Sequence, residues 1–279
     1  MVEAATVGRS EVEALAWYHT IELCDGLVTP GFYDHRSVAG RLPWPPSLEG
    51  RRCLDVAGSD GFWAFEMCRR GAAEVVSIDL EDPSRQDWQG APADVTDRRA
   101  RALQTSGRWE GDAGRTPRAF ELARGALGYD VPRLDISIYD VSPERLGDFD
   151  FVFVGSVLLH LRDPVRALSA VRDVVRGQLL VFEPVVLALS ALLPRTPLAT
   201  LWRLDEPRWW TPNVAGLHRW LEAAGFEVLD SRAPLFQKFG PAFPRRPPLR
   251  RPTLADLWFW LFVRPVGGPS AAVLARPAH

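Results

Sequence analysis

Residues 53–80 read CLDVAGSDGFWAFEMCRRGAAEVVSIDL. An apolar run carries Asp55 near its end, a turn with Gly58 and Gly61 follows, a helical period runs from Phe62 to a stop at Gly71, and a second apolar run closes on Asp79. Strand, glycine turn, helix, strand is the layout of a nucleotide-binding unit, whose buried parallel strands are nearly continuous in apolar residues. The alternation continues outward. RAFELARGALG reads as a helix, RLDISIYDV and DFDFVFVGS as strands, DPVRALSAVRDVV as an amphipathic helix and QLLVFEP as a fifth strand. Strands alternating with helices imply right-handed crossovers and a doubly wound, mostly parallel α/β sheet.

The flanks have a different texture. SEVEALAWY, residues 10–18, predicts a helix capped by Ser10 with Glu13 completing a capping box. HTIEL predicts a short strand, and the proline-rich RLPWPPSLEG a connector. After the fifth strand, residues 185–213 are apolar and rich in Trp and Pro, which predicts a cap over the sheet edge. NVAGLHRWLEAAGFEVLDSRAPL predicts a helix, a glycine stop and a strand. LADLWFWLFVRPV predicts a terminal strand with Trp258 and Trp260 on one face, antiparallel to the strand before it. The partition is then 1–47 as an extension covering the site, 48–266 as the main domain with its cap at about 185–213, and 267–279 as a tail.

Of the 279 residues 47% are hydrophobic, enough for a sizeable core, and the net charge of −2 gives no general pull toward nucleic acid or anionic membrane. Lys238 is the only lysine. Cys24, Cys53 and Cys68 are odd in number and lack metal-type spacing, so no metal is expected and reduced thiols in a cytoplasmic protein are the simplest reading. No signal peptide is visible, and LLVFEPVVLALSALLP is broken by Glu183 and Pro184, so no membrane span is expected.

The turn DVAGSDG, residues 55–61, excludes two ligands. A phosphate-binding loop needs Gly-Lys-Ser/Thr, which is absent; a dinucleotide fingerprint needs three glycines, and its pyrophosphate would face the Asp55 carboxylate. Acids suit a cation. S-adenosylmethionine carries an ammonium and a sulfonium. Asp79, 24 residues after Asp55, can accept from its ribose hydroxyls, and Asp140 from its adenine amino group.

With these residues in view, LDVAGSDGFWAFE resembles the first motif of class I S-adenosylmethionine-dependent methyltransferases. WYHTIEL, TPGFYD, SLEGRRCLDV, DGFWAFEM, YDVSPERL, FVFVGSVLLHLRDPVRAL and LEAAGF, which together cover most of residues 17–230, are similar to the subgroup related to the tRNA wobble-uridine carboxymethyltransferases. The resemblance implies a seven-stranded Rossmann-like sheet with an N-terminal extension and a cap after the fifth strand. It also implies a methyltransferase enzyme with S-adenosyl-L-methionine held by Asp55, Ala57, Gly58, Ser59, Gly61, Asp79, Leu80, Asp140, Val141, Gly155 and Ser156. Two departures matter. Ala57 stands where the family has glycine, and its methyl disfavours positive φ. Leu159 stands where the carboxymethyl-transferring members have a tyrosine, which favours plain S-adenosylmethionine over a carboxylated donor.

His160, in SVLLHLRDP, is a candidate general base, against the reading that it only shapes the pocket. His19 and Asp34 are catalytic candidates and Tyr33 a substrate contact, because the resemblance folds their segment over the site's mouth. Glu206, Trp209 and Trp210 would wall an acceptor pocket or seal the cap. The arginine-rich PRRPPLRRP, residues 244–252, lacks interleaved aromatics and reads as a solvated linker ahead of an RNA contact. A small organic or glycan acceptor, methylated on a hydroxyl or amine, is therefore expected ahead of tRNA. A degenerate module that binds without methylating is a third reading, and a homodimer is allowed.

Overall fold

In the computed structural model, residues 5–24, 26–82, 85–87, 115–202, 208–243 and 259–278 are described. Ten strands occur among them: β1 (Tyr33–Asp34), β2 (Arg52–Val56), β3 (Glu74–Asp79), β4 (Arg133–Asp135), β5 (Phe149–Gly155), β6 (Val175–Pro184), β7 (Ala199–Leu201), β8 (Trp210–Pro212), β9 (Phe226–Phe239) and β10 (Gly268–Pro277). Eight form one sheet in the order β1-β9-β10-β6-β5-β2-β3-β4, and β7 pairs with β8 alone. From β6 to β4 every pairing is parallel, while β10 runs antiparallel to both β6 and β9.

The core follows from side-chain alternation in strands covered on both faces. Phe151 and Phe153 of β5 point into one cluster, Val152 and Val154 into the other. The Phe-rich side is covered by the helices Phe62–Arg69 and Arg115–Leu127 and by the N-terminal segment through Val12, Trp17 and Ile21. The aliphatic side is covered by the helices Pro164–Val174 and Val214–Ala223. Asn213 caps the second of these by accepting from the Gly216 amide at 2.8 Å, and its own amide group ties down the Leu193 and Thr196 carbonyls of the cap.

Five expectations are corrected. The first helix is Arg9–Glu13, capped at Gly8, whose amide donates to Glu11 rather than to Glu13. It stops because the Trp17 indole donates to the Val12 carbonyl at 2.8 Å and turns the chain back. HTIEL makes only isolated bridges, His19 to Tyr33 and Glu22 to Val28. The third parallel strand is three residues long, since Ser137 accepts from the Tyr139 amide and opens a 3-10 turn over Ile138–Asp140. The sheet has eight strands rather than seven, because β1 adds to the β9 edge. Finally, the last strand is not LADLWFWLFVRPV. Phe259–Val263 forms a π-helical turn, and the presumed tail, Gly268–Pro277, is β10, inserted between β6 and β9. Its Ala271, Ala272, Val273 and Ala275 are wholly buried, and small side chains are what a strand covered on both faces can pack closely. The antiparallel final pair holds, with a different partner.

Candidate active site at the carboxyl edge of the sheet

The candidate cofactor residues gather where β2, β3 and β5 end, the edge at which doubly wound folds hold ligands. Asp55 is 1% exposed; its Oδ2 accepts from the Ala64 amide at 3.1 Å and its Oδ1 has no partner. Burial first, then the neighbouring Asp79 and Asp60 carboxylates, push Asp55 up to about 8. Asp79 accepts from the Ser59 amide at 2.9 Å and the Leu80 amide at 2.7 Å, so it ties the turn to β3. A Cβ on Gly58 would lie 2.1 Å from Ser77 Oγ and 2.6 Å from Asp55 Oδ2; one on Gly61, at φ +91°, would enter the Phe65 ring. Both glycines are therefore required by close approach. Gly155 is held between the Phe153 ring and the Trp63 indole in the same way.

Among the described residues the three non-glycines at positive φ are Ala57 (58°), Ser59 (51°) and Ser156 (52°), and all lie at this edge. Strain collected at one edge is a mark of a ligand turn. Ala57 carries the left-handed geometry that the missing glycine would adopt freely, at a cost of roughly 1–2 kcal/mol. Ala57→Gly is therefore expected to raise stability by about 1 kcal/mol once glycine's unfolded-state entropy is subtracted. A lowered urea midpoint would contradict the assignment of strain to this residue.

Asp140 and Val141 are placed differently from the others. Asp140 is exposed in the 3-10 turn, and Val141 is 3% exposed and packs into the aliphatic core.

The N-terminal segment reaches the same edge through Asp60, a residue of the turn that the sequence reading did not single out. Asp60 Oδ2 accepts from the Tyr18 and His19 amides, each at 2.8 Å, and Oδ1 meets His19 Nδ1 at 2.5 Å. His19 and Asp60 are both buried, and the His19 ring stacks on Phe62 and lies 5.0 Å from His35. His35 Nε2 meets Gln237 Oε1 at 3.2 Å, and the Gln237 amide donates to Ser156 Oγ at 3.1 Å and Ser270 Oγ at 2.9 Å. Burial, with His19 adding to it, holds His35 well below 6.5 and therefore neutral. Tyr33 is half-buried over this cluster, with its hydroxyl pushed up by burial against the pull of the Arg208 guanidinium. Asp34 is drawn elsewhere: Arg36 grips it through Nε at 2.9 Å and Nη2 at 2.8 Å on the surface.

His160 closes the 3-10 turn Leu158–His160, half-buried. That turn is held from below by Glu183, whose Oε1 accepts from the Val157 and Leu158 amides at 2.7 and 2.8 Å. Glu183 is 1% exposed, its Oε2 has no partner, and burial pushes it up to about 8 against the pull of the Leu158, Val157 and Leu159 amides. An acid inside the apolar run QLLVFEP was the available signal. The Trp209 indole donates to the Asp87 carbonyl, and the Trp210 indole to the Arg162 carbonyl at 3.0 Å. The Trp209 amide donates to the Leu159 carbonyl at 2.7 Å, so Trp209 anchors its segment on this turn and Trp210 anchors it just beyond. Glu206, residues 244–252 and Trp258 lie outside the described residues.

The two buried acids set a pH dependence. The folded chain keeps protons on Asp55 and Glu183 up to about pH 8, which the unfolded chain releases near the ordinary carboxyl values of 3.8 and 4.5. Their stabilising share is thus full at low pH and lost as pH rises through about 8. His35, held below 6.5, acts oppositely, but only where the unfolded imidazole is charged. Between about pH 7 and 8.5 the urea midpoint should therefore fall as pH rises, and the fall should shrink in Asp55→Asn. A flat wild-type profile in that window would contradict the buried-acid assignment.

The fit to a cationic nucleoside rests on the unpartnered Asp55 Oδ1 at the turn and the Asp79 carboxylate beside it. Among the described residues no group of His, Cys, Asp and Glu could hold a metal ion, and no helix is long and apolar enough to cross a membrane.

A family model described as "Methyltransferase domain" matches residues 35–231. The tRNA U34 carboxymethyltransferase of Pseudomonas paraeruginosa is 30% identical over 185 residues, covering 64% of this chain and 46% of that protein. That of Azotobacter vinelandii is 29% identical over 188 residues, with the same coverage. The chain thus spans under half the length of these curated relatives. A Listeria monocytogenes crystal structure, named as a candidate S-adenosylmethionine dependent methyltransferase, shares the fold at a TM-score of 0.50 and 10% identity, covering 87% of this chain and 97% of that one.

Proposed function

The chain belongs to the methyltransferase domain family in its class I, S-adenosylmethionine-dependent form, and from that premise we propose that it methylates a hydroxyl or amine of a small organic or glycan acceptor. The cofactor supplies an activated sulfonium methyl. Everything else falls to the chain: holding the cation, aligning the acceptor and taking its proton.

The observation that carries this reading is the His19–Asp60 pair. Asp60 belongs to the cofactor turn and fixes His19 through Nδ1, which leaves Nε2 as the ring atom able to take a proton. An acceptor oxygen would form its bond to the methyl carbon as the carbon–sulfur bond breaks, and its proton would pass to Nε2. A binding module would have no use for an imidazole oriented in this way. The surroundings suit a modest, partly apolar acceptor, since Tyr18, Tyr33, His35 and Phe62 pack on or beside His19.

Cofactor use is tested by calorimetry. Asp79→Ala removes the ribose acceptor and loosens Ser59, and should cost about 1.5–3 kcal/mol of S-adenosylmethionine affinity. Unchanged affinity would remove Asp79 from the site. The acceptor is tested with S-adenosylmethionine labelled in its methyl group and fractions of host extract. Label in a small-molecule fraction is the expected result. A second reading, methylation of tRNA, has one specific support, the names of the curated relatives. Label confined to tRNA, with binding that weakens steeply in salt, would favour it over the first.

A further inference from the structure

Arg133 is a buried cation that leaves most of its donors unused. It opens β4, its side chain is 3% exposed, and its Nε and Nη2 have no hydrogen-bond partner. A guanidinium keeps its proton, so burying one costs stability unless negative charge compensates it. Two carboxylates do so here. Nη1 donates to Glu81 Oε1 at 3.3 Å, and Nη2 lies 3.7 Å from Asp79 Oδ2. Asp135, on the same strand, is met instead by Arg85 at 2.6 Å.

Asp79 is the partner that counts, although it is farther away. Glu81 is 56% exposed, so water screens its charge, whereas Asp79 is 19% exposed. Asp79 also stands beside other acids. Its carboxylate and that of Asp60 add to burial in pushing Asp55 up to about 8. A cation at this place offsets that crowding.

The sheet register sets where the cation lies. β3 and β4 are parallel, with Ser77 opposite Arg133 and Asp79 opposite Asp135. Arg133 therefore sits two residues behind the acids that end these strands. At 3.7 Å it is too far from Asp79 for a hydrogen bond and acts by charge alone. A direct bond would take up acceptor sites on the carboxylate; at this distance Arg133 takes none.

We propose that Arg133 is a positioning residue for the cofactor: its charge, set behind Asp79, lets an anionic carboxylate stand at the ribose among neighbouring acids, with its acceptor atoms left to the two ribose hydroxyls. The proposal rests on the reading of Asp79 as the ribose acceptor.

The test is calorimetry with two ligands, S-adenosylhomocysteine and its dideoxyribosyl analogue, which lacks both hydroxyls. Wild type should prefer the first by about tenfold or more, the size of one or two hydrogen bonds to a charged group. Arg133→Met should bind S-adenosylhomocysteine about tenfold more weakly, and the analogue within about a factor of two of wild type. In an Asp79→Asn background, Arg133→Met should change S-adenosylhomocysteine affinity by less than about twofold, because the carboxylate it serves is gone. Arg133→Lys keeps the charge without the planar fork and should keep most of the preference.

Equal weakening of both ligands by Arg133→Met would overturn the proposal and leave the arginine a structural residue. So would an undiminished loss in the Asp79→Asn background. Should Arg133→Met fail to fold, Arg133→Lys decides: loss of the preference with the charge retained overturns the proposal. A wild type that binds both ligands alike would overturn the placement of the ribose on Asp79, and the role of Arg133 with it, so the two failures are distinguishable.

Discussion

Replacing His19 by alanine is expected to slow methyl transfer by about 10²–10⁴-fold, the usual loss when a positioned general base is removed. S-adenosylmethionine affinity should hold within about a factor of two to three, because Asp55, Asp79 and the turn backbone are untouched and errors of that size correspond to well under 1 kcal/mol. The variant should keep only the low residual rate that positioning alone supplies. His160→Ala provides the comparison. His160 ends the turn that Glu183 holds, whereas His19 has a carboxylate partner in the cofactor turn itself. If His160→Ala loses that factor in rate and His19→Ala does not, the base is assigned to the wrong histidine. If neither does, proton transfer to histidine is not part of the mechanism and positioning alone remains.

Asp60→Ala is expected to cost about 3–5 kcal/mol of stability, since each buried donor left without its acceptor costs about 1–3 kcal/mol. The carboxylate satisfies two backbone amides and the His19 ring in a site 1% exposed to solvent. Alanine leaves all three donors buried and unpaired. Asp60→Asn separates two contributions. Its carbonyl oxygen can still accept from backbone amides, but an amide cannot orient the imidazole as a carboxylate does. Asn should therefore restore much of the stability and little of the rate. Urea denaturation and turnover on the two variants would check this. A loss below about 1 kcal/mol for Ala, the level of an exposed pair, would mean that the N-terminal segment is not held to the turn by Asp60.

The sequence read alone carried the parallel half of the sheet and the glycine turn between its first two strands. Those strands are buried on both faces, so they had to be unbroken apolar runs, and the close approaches at Gly58 and Gly61 had to be glycines. Local chemistry was enough wherever one residue type alone fits. It was not enough at the far edge of the sheet. WFWLFV has the apolarity of a buried strand yet leaves Leu261 and Phe262 exposed, while the plain GPSAAVLARP fills the slot between β6 and β9. Which segment enters that slot depends on the width left by the neighbouring strands and helices, a property of the packed whole. The site divides in the same way. Asp55, Asp79 and the glycines follow from spacing along one unit of the fold. The pairing of Asp60 with His19, 41 residues apart, and of His35 with Gln237, 202 residues apart, exists only after the N-terminal segment and β9 are folded onto the same edge. Contacts of that sequence separation leave no periodic trace in the chain, so tertiary structure alone decided which histidine stands beside the turn.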